Sequence, residues 1–415
     1  MQTKKPHVVI VGSGFGGIYT AKYLKSAVAR GEIDVTLISR VNYFLFTPLL
    51  HEVATGGLSP GCIIEADREI FRDTSIRLLQ DEVRAIDLRE QYLEAGVGRI
   101  SYDYLVLASG AGTNYRNIPG AKEHTFGLKD VNEALELRNH IIDIFERFET
   151  YEHDGTSLNF VVVGGGPTGV EVAGEIEEFV CETLAHYYAW DEAEHAKITV
   201  YLIASGTGIL PYAGQKLQAK AAKILTRKHI KIVAGASVSL VTEDGVTLDT
   251  GEFIHSFATV WAAGVEPVMP NFLSLPPGRV KGGRIIVDEY LRVAPHATAF
   301  ALGDVATFEG GDGPWKTPML AQAAVQEAKV VAKNILRTLQ NKSLHPFVYR
   351  PKGFLVSLGR WQAAGELYGF TFSGPLMWFI WRTVYLFKFL SWRKRIKIMV
   401  EWTVNLFYPR DISTL

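Results

Sequence analysis

The sequence predicts an α/β fold in which two Rossmann-like dinucleotide-binding domains, the first interrupted by the second, precede a C-terminal amphipathic helical segment. An apolar run, a glycine-rich turn and the start of a helix occur twice, at 8–24 and at 161–175, and predict the two domains. Tryptophans and basic side chains concentrate after residue 373 and predict the helical segment. The 415 residues suffice for two or three domains.

Composition excludes several classes of function. The formal net charge is −1 at pH 7, which gives no reason to expect a nucleic-acid partner. Cys62 and Cys181 lie far apart and form no CxxC or zinc spacing, so no metal site is predicted. The N-terminus leads directly into a strand and not into a signal peptide, and no run of about 20 apolar residues predicts a transmembrane helix.

The first glycine-rich turn has the spacing Gly12-x-Gly14-x-x-Gly17 directly after an apolar strand. Glycines let the backbone turn tightly and approach a pyrophosphate, and the helix that follows offers free N–H groups to it. The next strand ends at Ser39, where such sites commonly carry Asp or Glu to bind a ribose hydroxyl. Serine can bind the same hydroxyl more weakly than a carboxylate. We therefore predict a dinucleotide at this turn.

The second turn, Gly164-x-Gly166-x-x-Gly169, has the same glycine spacing between an apolar strand and a helix, and it predicts a second nucleotide. The position for a ribose-binding acid is Ala204 here. A missing carboxylate also removes the repulsion of a 2′-phosphate, so NADPH is not excluded, but 204–210 contain no Lys or Arg that would require it. Two sites in one chain have a direct chemical use, because one can hold a flavin while the other admits a nicotinamide that gives it a hydride.

Three further strand ends fit this framework. Segments 102–120 and 257–267 are strands that end in small residues and reach a proline, and they predict crossovers between two dinucleotide domains. Segment 283–304 ends at Gly303-Asp304. The Asp304 carboxylate either binds the ribityl chain of FAD or caps the helix after it, and the residues alone leave both open.

Together these segments resemble the two-dinucleotide-binding-domain flavoproteins, and more closely the type II NADH dehydrogenases, single-subunit NADH:quinone oxidoreductases that pump no protons. The resemblance covers nearly the whole chain. Ser39 and Ala204 replace acids usual in that family, and "ASGAGTNY" replaces a commoner ATG-type strand end. The most specific stretches are 42–60, 164–176, 291–306, 321–335 and the last 40 residues.

The resemblance implies a set of site residues. The first turn would bind the FAD pyrophosphate, Asp304 the ribityl chain, and the second turn NADH or NADPH. Glu171 would lie near the flavin–nicotinamide stack, and Gln322 and Gln326 would lie at the quinone pocket. The implied cofactor-binding residues are Gly12, Ser13, Gly14, Phe15, Gly16, Gly17, Ser39, Arg40, Pro48, Ser109, Gly110, Gly303, Asp304, Gly164, Gly166, Pro167, Thr168, Gly169, Ala204 and Gly264.

The two glutamines also have a physical interpretation. Gln322 and Gln326 are four residues apart on a helix expected after Pro318, so they share a face. Two amides on one face can donate hydrogen bonds to quinone carbonyls. A solvated helix face is the alternative.

The acids of the second unit allow two interpretations as well. Glu171 and Glu175 share a helical face, and Glu171 is expected in the first turn, where the helix dipole favours a carboxylate. A role in the helix N-terminus is therefore the alternative to a role at the flavin. Glu178 and Glu182 are expected to be solvated. The sequence identifies no proton donor, since solvent could supply the protons that quinone reduction consumes.

The last 40 residues predict an interfacial helix. The apolar stretch 376–390 is too short to span a bilayer and is interrupted by Arg382 and Lys388. Aromatic residues beside basic ones are typical of a helix in the headgroup layer of an anionic surface, where each Lys or Arg contributes about 1 kcal/mol. A buried dimer or core helix is the alternative, and it does not explain the basic run.

We therefore expect an FAD-dependent NAD(P)H:quinone oxidoreductase, peripheral on the cytoplasmic face of the inner membrane or its equivalent. The acceptor is ubiquinone or menaquinone, and the resemblance makes a homodimer plausible. The expected segments are 1–115 and 281–345 for the FAD domain, 116–280 for the NAD(P)H domain and 346–415 for the membrane segment.

Two alternatives remain. A disulfide- or sulfide-handling flavoprotein would need a redox cysteine pair, but 41–50 contain none and no cysteine follows Cys181. A flavoprotein that binds NAD(P)H and docks a protein partner through its tail is the other.

Overall fold

The computed structural model describes residues 5–150, 157–188, 190, 196–270, 272–308, 317–367 and 369–414. The strands are β1 His7–Val11, β2 Asp34–Ser39, β3 Tyr43–Leu45, β4 Ile64–Ala66, β5 Arg77–Gln80, β6 Val83–Asp87, β7 Tyr92–Ala95, β8 Gly98–Ser101, β9 Tyr104–Leu107, β10 Ala111–Thr113, β11 Leu158–Val163, β12 Ile198–Ala204, β13 Ile230–Ala234, β14 Val238–Thr242, β15 Gly245–Leu248, β16 Phe253–His255, β17 Ala258–Trp261, β18 Val265–Pro267, β19 Phe272–Leu273, β20 Val280–Lys281, β21 Arg284–Val287, β22 Ala299–Ala301, β23 Ala306–Phe308, β24 Phe354–Ser357, β25 Ala363–Leu367 and β26 Phe370–Ser373.

The α-helices are α1 Phe15–Ala29, α2 Leu50–Val53, α3 Pro60–Ile63, α4 Asp67–Ile70, α5 Val131–Thr150, α6 Pro167–Glu178, α7 Ala185–Tyr187, α8 Gln215–Thr226, α9 Ala321–Leu339, α10 Pro375–Leu386 and α11 Trp392–Phe407. Short 3₁₀ turns lie at Thr47–Leu49 and Gly303–Val305, and a π-helical turn lies at Phe179–Leu184.

The chain divides into two compact units. Unit 1 comprises Met1–Leu45, Ile64–Gly112 and Val265–Lys352, and unit 2 comprises Phe46–Ile63, Thr113–Gly264 and Gly353–Leu415. Each unit contains one of the two glycine-rich turns. The four expected domain segments stay a prediction.

Unit 1 is organised by a parallel sheet with strand order β22-β9-β1-β2-β5. The central strand β1 is fully buried at Val8, Val9 and Ile10, which accounts for its unbroken apolar run. Helix α9 packs on α1 through its apolar face, which includes Ala328 and Val331. The first glycine turn therefore lies at the carboxyl end of the strand in the middle of this sheet.

Unit 2 repeats the arrangement with the parallel sheet β13-β12-β11-β17. Its α6 is buried from Gly169 to Glu178 without interruption, and it packs against α2, β12 and β24. The C-terminal part adds the antiparallel sheet β24-β25-β26 and the helices α10 and α11. Helix α6, which carries several glutamates, is thus enclosed by other elements of the unit, and its glutamates are buried.

Candidate active site

In both glycine-rich turns the first glycine has no room for a side chain, and we call this the closed side of the turn. Gly12 and Gly164 adopt φ values of +104° and +128°. A Cβ there would lie 2.4 Å from the carbonyl oxygen of Ala108 and 2.5 Å from that of Ala262, respectively. A side chain at either position would thus be both strained and sterically blocked.

In both turns the middle glycine faces empty space, and we call this the open side of the turn. A Cβ at Gly17 or Gly169 would lie 1.8 Å from the carbonyl oxygen of the first glycine of its own turn, so the helix approaches the turn at backbone distance. A Cβ at Gly14 or Gly166, the N-caps of α1 and α6, would meet no atom within 4 Å. Each turn therefore leaves space at a helix N-terminus, which fits the pyrophosphate of a dinucleotide.

The predicted ribose-binding positions lie where the sequence places them, each facing its own turn. In unit 1 the hydroxyl of Ser13 donates to that of Ser39 at 2.8 Å. In unit 2 a Cβ at Gly165 would lie 2.6 Å from the Cβ of Ala204, which is buried. Residue 13 corresponds to 165 and residue 39 to 204. The first site therefore has two hydroxyls where the second has no polar side chain.

Asp67 is a polar residue of the first site that sequence reasoning missed. It is the first residue of α4 and is buried, and its Oδ1 has no hydrogen-bond partner among the described residues. Burial raises the pKa of its carboxyl to about 7, although a hydrogen bond with Ser13 opposes the shift. Asp67 thus provides a carboxyl beside the Ser13–Ser39 pair. No sequence signal marks it, because it lies 28 residues beyond the end of β2.

Gly303 and Asp304 form a 3₁₀ turn whose N-cap is Leu302. The next helix, α9, has Leu320 as its N-cap, so Asp304 caps neither element and the capping alternative is wrong. The N–H of Gly303 donates to Oε2 of buried Glu327 at 2.6 Å. Burial raises the pKa of Glu327 to about 7. Glu327 therefore holds this turn in place through its hydrogen bond to Gly303. The role of Asp304 at a ribityl chain stays a prediction.

Gln322 and Gln326 lie in the first two turns of α9, as expected. Nε2 of Gln326 donates to the carbonyl of Arg350 at 3.0 Å, and Oε1 accepts from the N–H of the same residue at 3.2 Å. Oε1 of Gln322 accepts from the N–H of Lys352 at 3.4 Å. Both amides thus hold the backbone of 350–352, and a simply solvated face is wrong. Their role at a quinone pocket stays a prediction.

The remaining residues implied as cofactor ligands lie in the turns and strand ends, as expected. Ser109 donates to the carbonyl of Val268 at 2.5 Å, and Gly110 and Gly264 have φ of +72° and +145°. Phe15 and Gly16 begin α1, Pro167 and Thr168 begin α6, Arg40 is exposed after β2, and Pro48 lies in the 3₁₀ turn Thr47–Leu49.

Glu171 is buried in the second turn of α6 and not in the first turn, so the helix-dipole interpretation is wrong. The helix begins four residues earlier, at Pro167. Burial raises the pKa of Glu171 to about 8, Glu175 and Glu52 raise it further, and the N–H of Ser357, which donates to Oε1 at 3.1 Å, opposes the shift. Glu171 therefore holds a proton at neutral pH, and it is a candidate proton donor.

His51 is the neighbour of Glu171 that sequence reasoning did not single out. Its Nδ1 lies 3.9 Å from Oε2 of Glu171, and its Nε2 has no partner among the described residues. Burial, with a smaller effect of Arg410, lowers the pKa of His51 to about 3. Both side chains are neutral at pH 7, so this contact is not an ion pair.

Glu178 is buried and not solvated, which contradicts the expectation for this residue. Arg410 binds it through Nη2 at 2.5 Å and binds Glu175 through Nη1 at 2.9 Å. The N–H of Arg360 also donates to Glu178. Glu182, one turn further along, is exposed, as expected. An acid is buried here because guanidinium and backbone N–H groups stabilise its charge.

Glu52 completes a connected group of buried polar residues in unit 2. Its Oε2 accepts from the indole Nε1 of Trp402 at 2.6 Å. Burial raises the pKa of Glu52 to about 7, against the opposing charge of Arg382. We name this group the acid cluster; its members are His51, Glu52, Glu171, Glu175, Glu178, Arg382 and Arg410. The sequence signals were weak, since Glu52 and Arg410 are separated by more than 350 residues.

The C-terminal helices bury one side and expose a hydrophobic side. Helix α10 buries Met377, Trp378 and Trp381, and α11 buries Ile398 and Trp402. The guanidinium of Arg382 lies over the rings of Trp378 and Trp402, so it belongs to the acid cluster and not to a basic surface. We name the exposed side the apolar stripe; it comprises Leu376, Phe379, Ile380, Val384, Phe387, Trp392, Ile396, Met399, Val400, Val404 and Phe407.

The part of the chain that the structure describes contains no metal-binding group and no membrane-spanning helix, and its two cysteines are free. No group of His, Cys, Asp and Glu there could hold a metal ion. Burial raises the pKa of Cys62 and that of Cys181 to about 12 each, so both are thiols. No helix in the described ranges is long and apolar enough to cross a membrane.

Comparison with family models and curated relatives gives a consistent result. A model described as pyridine nucleotide-disulphide oxidoreductase matches residues 6–328, and the NDH2 C-terminal domain matches residues 352–411. The chain is 34% identical to the type II NADH:quinone oxidoreductase Ndh of Mycobacterium tuberculosis, over 98% of this chain and 89% of that one. It is 30% identical to the internal alternative NAD(P)H-ubiquinone oxidoreductase A1, mitochondrial, of Solanum tuberosum, over 99% and 88%.

Solved structures support the same fold. The NDH2 of Plasmodium falciparum in complex with NADH superposes with a TM-score of 0.90 at 24% identity, covering 99% of this chain and 100% of that one. The sulfide:quinone oxidoreductase of Aquifex aeolicus gives a TM-score of 0.74 at 19% identity, covering 97% and 96%. These two likenesses concern the fold alone.

Proposed function

Because the chain belongs to the type II NADH:quinone oxidoreductases, we propose that it oxidises NADH or NADPH and reduces a quinone, with FAD as its cofactor. The observation that carries this proposal is the pair of glycine turns with identical closed and open sides, one in each unit. Bound FAD would accept a hydride from the nicotinamide and pass two electrons on. Both quinone families remain candidates, because ubiquinone and menaquinone share the two carbonyls.

The residues of unit 1 would hold the FAD. The open side at Gly14 would take the pyrophosphate, and the hydroxyls of Ser13 and Ser39 would take the place of a ribose-binding acid. Glu327 would hold the turn that presents Asp304. At Gly12 a Cβ would lie 2.4 Å from the carbonyl oxygen of Ala108, so the turn has no room for a side chain on its closed side.

In unit 2, the turn at Gly166 would admit the nicotinamide nucleotide, and Glu171 would hold a proton for the acceptor. The overall reaction converts NAD(P)H, one H⁺ and quinone into NAD(P)⁺ and quinol. One of the two protons of quinol thus originates from the nucleotide and the other from water. A buried carboxyl that stays neutral near pH 7 is suited to give up that proton.

The apolar stripe is the proposed membrane contact. Exposed large apolar residues recur every three or four positions along α10 and α11, and the exposed cations Lys388, Arg393 and Lys397 lie among them. Such a surface suits the headgroup layer of an anionic bilayer, where a quinone dissolves in the lipid beside it. A peripheral position on the cytoplasmic face, and a homodimer, belong to the same proposal.

An anaerobic flavin experiment tests this function. The purified holoenzyme is mixed with NADH or NADPH, and the flavin band near 450 nm (about the usual position for an oxidised flavin) should bleach. A short-chain quinone should then restore it. A flavin that bleaches but is not restored by ubiquinone or menaquinone analogues would reject the quinone site and favour the alternative of a protein acceptor.

The disulfide- or sulfide-handling alternative gains no support from the cysteines. Both thiols have raised pKa values of about 12, and a thiolate is the form that attacks disulfides.

The alternative of a protein-docking tail needs a sharper test than truncation. Removing α11 would also remove buried Trp402 and its hydrogen bond to Glu52, so substitutions in the apolar stripe are the cleaner variants.

A further inference from the structure

The acid cluster contains more buried acids than buried cations. Four glutamates face two guanidiniums and a neutral imidazole, so the cluster balances its charge only if some of its carboxyls hold protons. Arg410 is bonded to Glu175 and Glu178. Glu52 and Glu171 have no direct ion pair to Arg410, and burial raises the pKa of each.

Two cavities meet at this cluster. The larger, of about 190 Å³, is lined by Glu178, Glu182 and Arg360 and by the end of the chain around Tyr408, which is exposed. The smaller, of about 20 Å³, is lined by Glu52, Gly57, Glu178 and Arg382, among others. Arg360, Asn405, Leu406, Arg410 and Glu178 line both. Glu178 is thus the glutamate that borders both cavities.

The smaller cavity has the size and the polarity of a water site. A space of about 10–15 Å³ is enough for one water, provided that two to four polar groups surround it. Glu52, Glu178 and Arg382 line the space. A single water there could bridge Glu178 to Glu52 by hydrogen bonds. Glu52 follows His51 on α2, and Nδ1 of His51 lies 3.9 Å from Oε2 of Glu171. The charge of Glu52 also helps to raise the pKa of Glu171.

We propose that Glu178, the small cavity and Glu52 form a relay that brings a proton from water at the large cavity to Glu171. The inference rests on the proposed function. The relay supplies the one proton per turnover that quinol formation takes from solvent. Each transfer moves a proton from one oxygen to the next, and no oxidant or reductant is consumed. When Glu171 gives its proton to the acceptor, the relay replaces it from outside.

The groups that face the relay determine its charge. Glu171 faces His51 and Glu52 from α2, Glu175 from its own helix, and Trp381 from α10. Glu52 faces Arg382, Glu175, Trp402 and Arg410. Around Glu178 lie Arg360, Arg410, Glu177, Glu182 and Lys228. Arg360 and Arg410 line both cavities and Glu182 lines the larger one, whereas Glu177 and Lys228 line neither. Of the carboxyl groups, only Glu52 and Glu178 line the smaller cavity.

The first test is Glu52→Gln in the holoenzyme. The Gln side-chain oxygen can still accept the hydrogen bond of Trp402, but the amide cannot pass on a proton. Stopped-flow spectroscopy should show that flavin reduction by NADH stays within about twofold of the wild type, while reoxidation by a short-chain quinone slows by about tenfold or more. The solvent deuterium isotope effect on reoxidation should increase.

The matched control is Glu177→Gln, on the same helix. Glu177 is buried like Glu178 but is paired with Lys228 at 3.1 Å, outside both cavities. This variant should reoxidise its flavin within about twofold of the wild-type rate. Equal reoxidation rates and isotope effects in Glu52→Gln and Glu177→Gln would overturn the relay.

A second variant keeps every acid and fills the small cavity. A Cβ at Gly57 would lie 3.2 Å from the carbonyl oxygen and 3.4 Å from the Cβ of Glu52, and 3.5 Å from Cζ of Arg410. The φ of Gly57 lies outside the left-handed region. Gly57→Ala should therefore exclude the water and slow reoxidation as Glu52→Gln does. A wild-type rate in folded Gly57→Ala would also overturn the relay.

Failure of the proposed function looks different. In that case the wild-type flavin itself would bleach with NADH and would not be reoxidised by any quinone, and the relay would fall with it. A wild-type enzyme that is reoxidised normally, with unaffected Glu52→Gln and Gly57→Ala variants, would retain the proposed function and reject only the relay.

Discussion

The hydroxyl of Ser13 donates a hydrogen bond to the hydroxyl of Ser39 across 2.8 Å, at the place where dinucleotide sites commonly carry an acid. The same place in the other unit has Gly165 against Ala204. The two nucleotide sites of this chain therefore differ in polarity at corresponding positions. This difference predicts how a substitution in each site changes the binding of its nucleotide.

Replacing Ser39 by Ala removes one hydroxyl from the first site. A neutral hydrogen bond contributes about 1 kcal/mol, so the Kd for FAD should rise about fivefold. Titration of the apoprotein with FAD, followed by flavin fluorescence, measures the change. Ser101→Ala, at an exposed serine of the same unit, is the control. An unchanged Kd in Ser39→Ala would mean that Ser39 does not contact the cofactor.

Replacing Ala204 by Glu introduces the missing acid at the second site. A carboxylate there would bind a ribose hydroxyl and repel a 2′-phosphate, so the ratio of kcat/KM for NADH over NADPH should rise about tenfold or more. Ala234→Glu, at the exposed residue paired with Ala204 on β13, is the matched control. The same ratio in Ala204→Glu and in the wild type would refute this interpretation.

Stability should fall as pH rises through the range in which the acid cluster loses protons. The folded-state pKa of Glu171 is about 8 and that of Glu52 about 7, both above the ordinary 4.5. The folded protein therefore binds more protons than the unfolded chain in this interval, and raising the pH favours unfolding. Tm measured from about pH 5 to about pH 8 should decrease, and Glu171→Gln should remove part of that decrease.

Glu401→Gln provides the contrast for this prediction. Burial alone would raise the pKa of Glu401, but hydrogen bonds from Ser59 outweigh it and the pKa is lowered. Its stabilising effect is present above the ordinary pKa and is lost as the pH falls, so this variant should leave the decrease between pH 5 and 8 intact. An identical slope in Glu171→Gln and in the wild type would show that Glu171 holds no proton in the folded state.

Charge placed in the apolar stripe should weaken membrane binding without unfolding the protein. Phe387 and Phe407 are 66% and 78% exposed, so replacing both by Glu disturbs no core contact. Burial of a large apolar side chain contributes about 1.5–3 kcal/mol, and the pair should therefore reduce binding to anionic liposomes by more than about 100-fold. Co-sedimentation with liposomes gives the affinity, and a short-chain quinone reports the remaining activity.

Tyr212→Glu is the control for that variant. Tyr212 is 86% exposed and lies outside the stripe, so its replacement should leave liposome binding unchanged. If the double variant still binds liposomes but no longer binds a protein partner, the stripe is a protein-docking surface and not a membrane contact.

The nucleotide turns could be predicted because their geometry is local. Gly12, Gly14 and Gly17 lie within six residues of one another, and a short backbone segment determines the closed and open sides of the turn. The position of Ser39 followed from the length of one helix and one strand. The start of α6 could be predicted from the sequence only to within about one turn. The sequence places Glu171 in the first turn of this helix, whereas it lies in the buried second turn.

The burial of the acids was decided by tertiary structure. Glu178 has the sequence pattern of a solvated helix residue, and it is buried because Arg410, 232 positions away, packs on it. Glu52 is bonded to Trp402 across 350 positions. A pKa depends on which groups exclude water from a carboxyl and which charges border it.

The sequence by itself therefore determined the two nucleotide turns and the amphipathic C-terminal helices, since neighbouring residues specify both. Only the fold of unit 2 decided that Glu52, Glu171 and Glu178 share one buried environment, because burial is a property of segments that are distant in the chain and meet only in the folded protein.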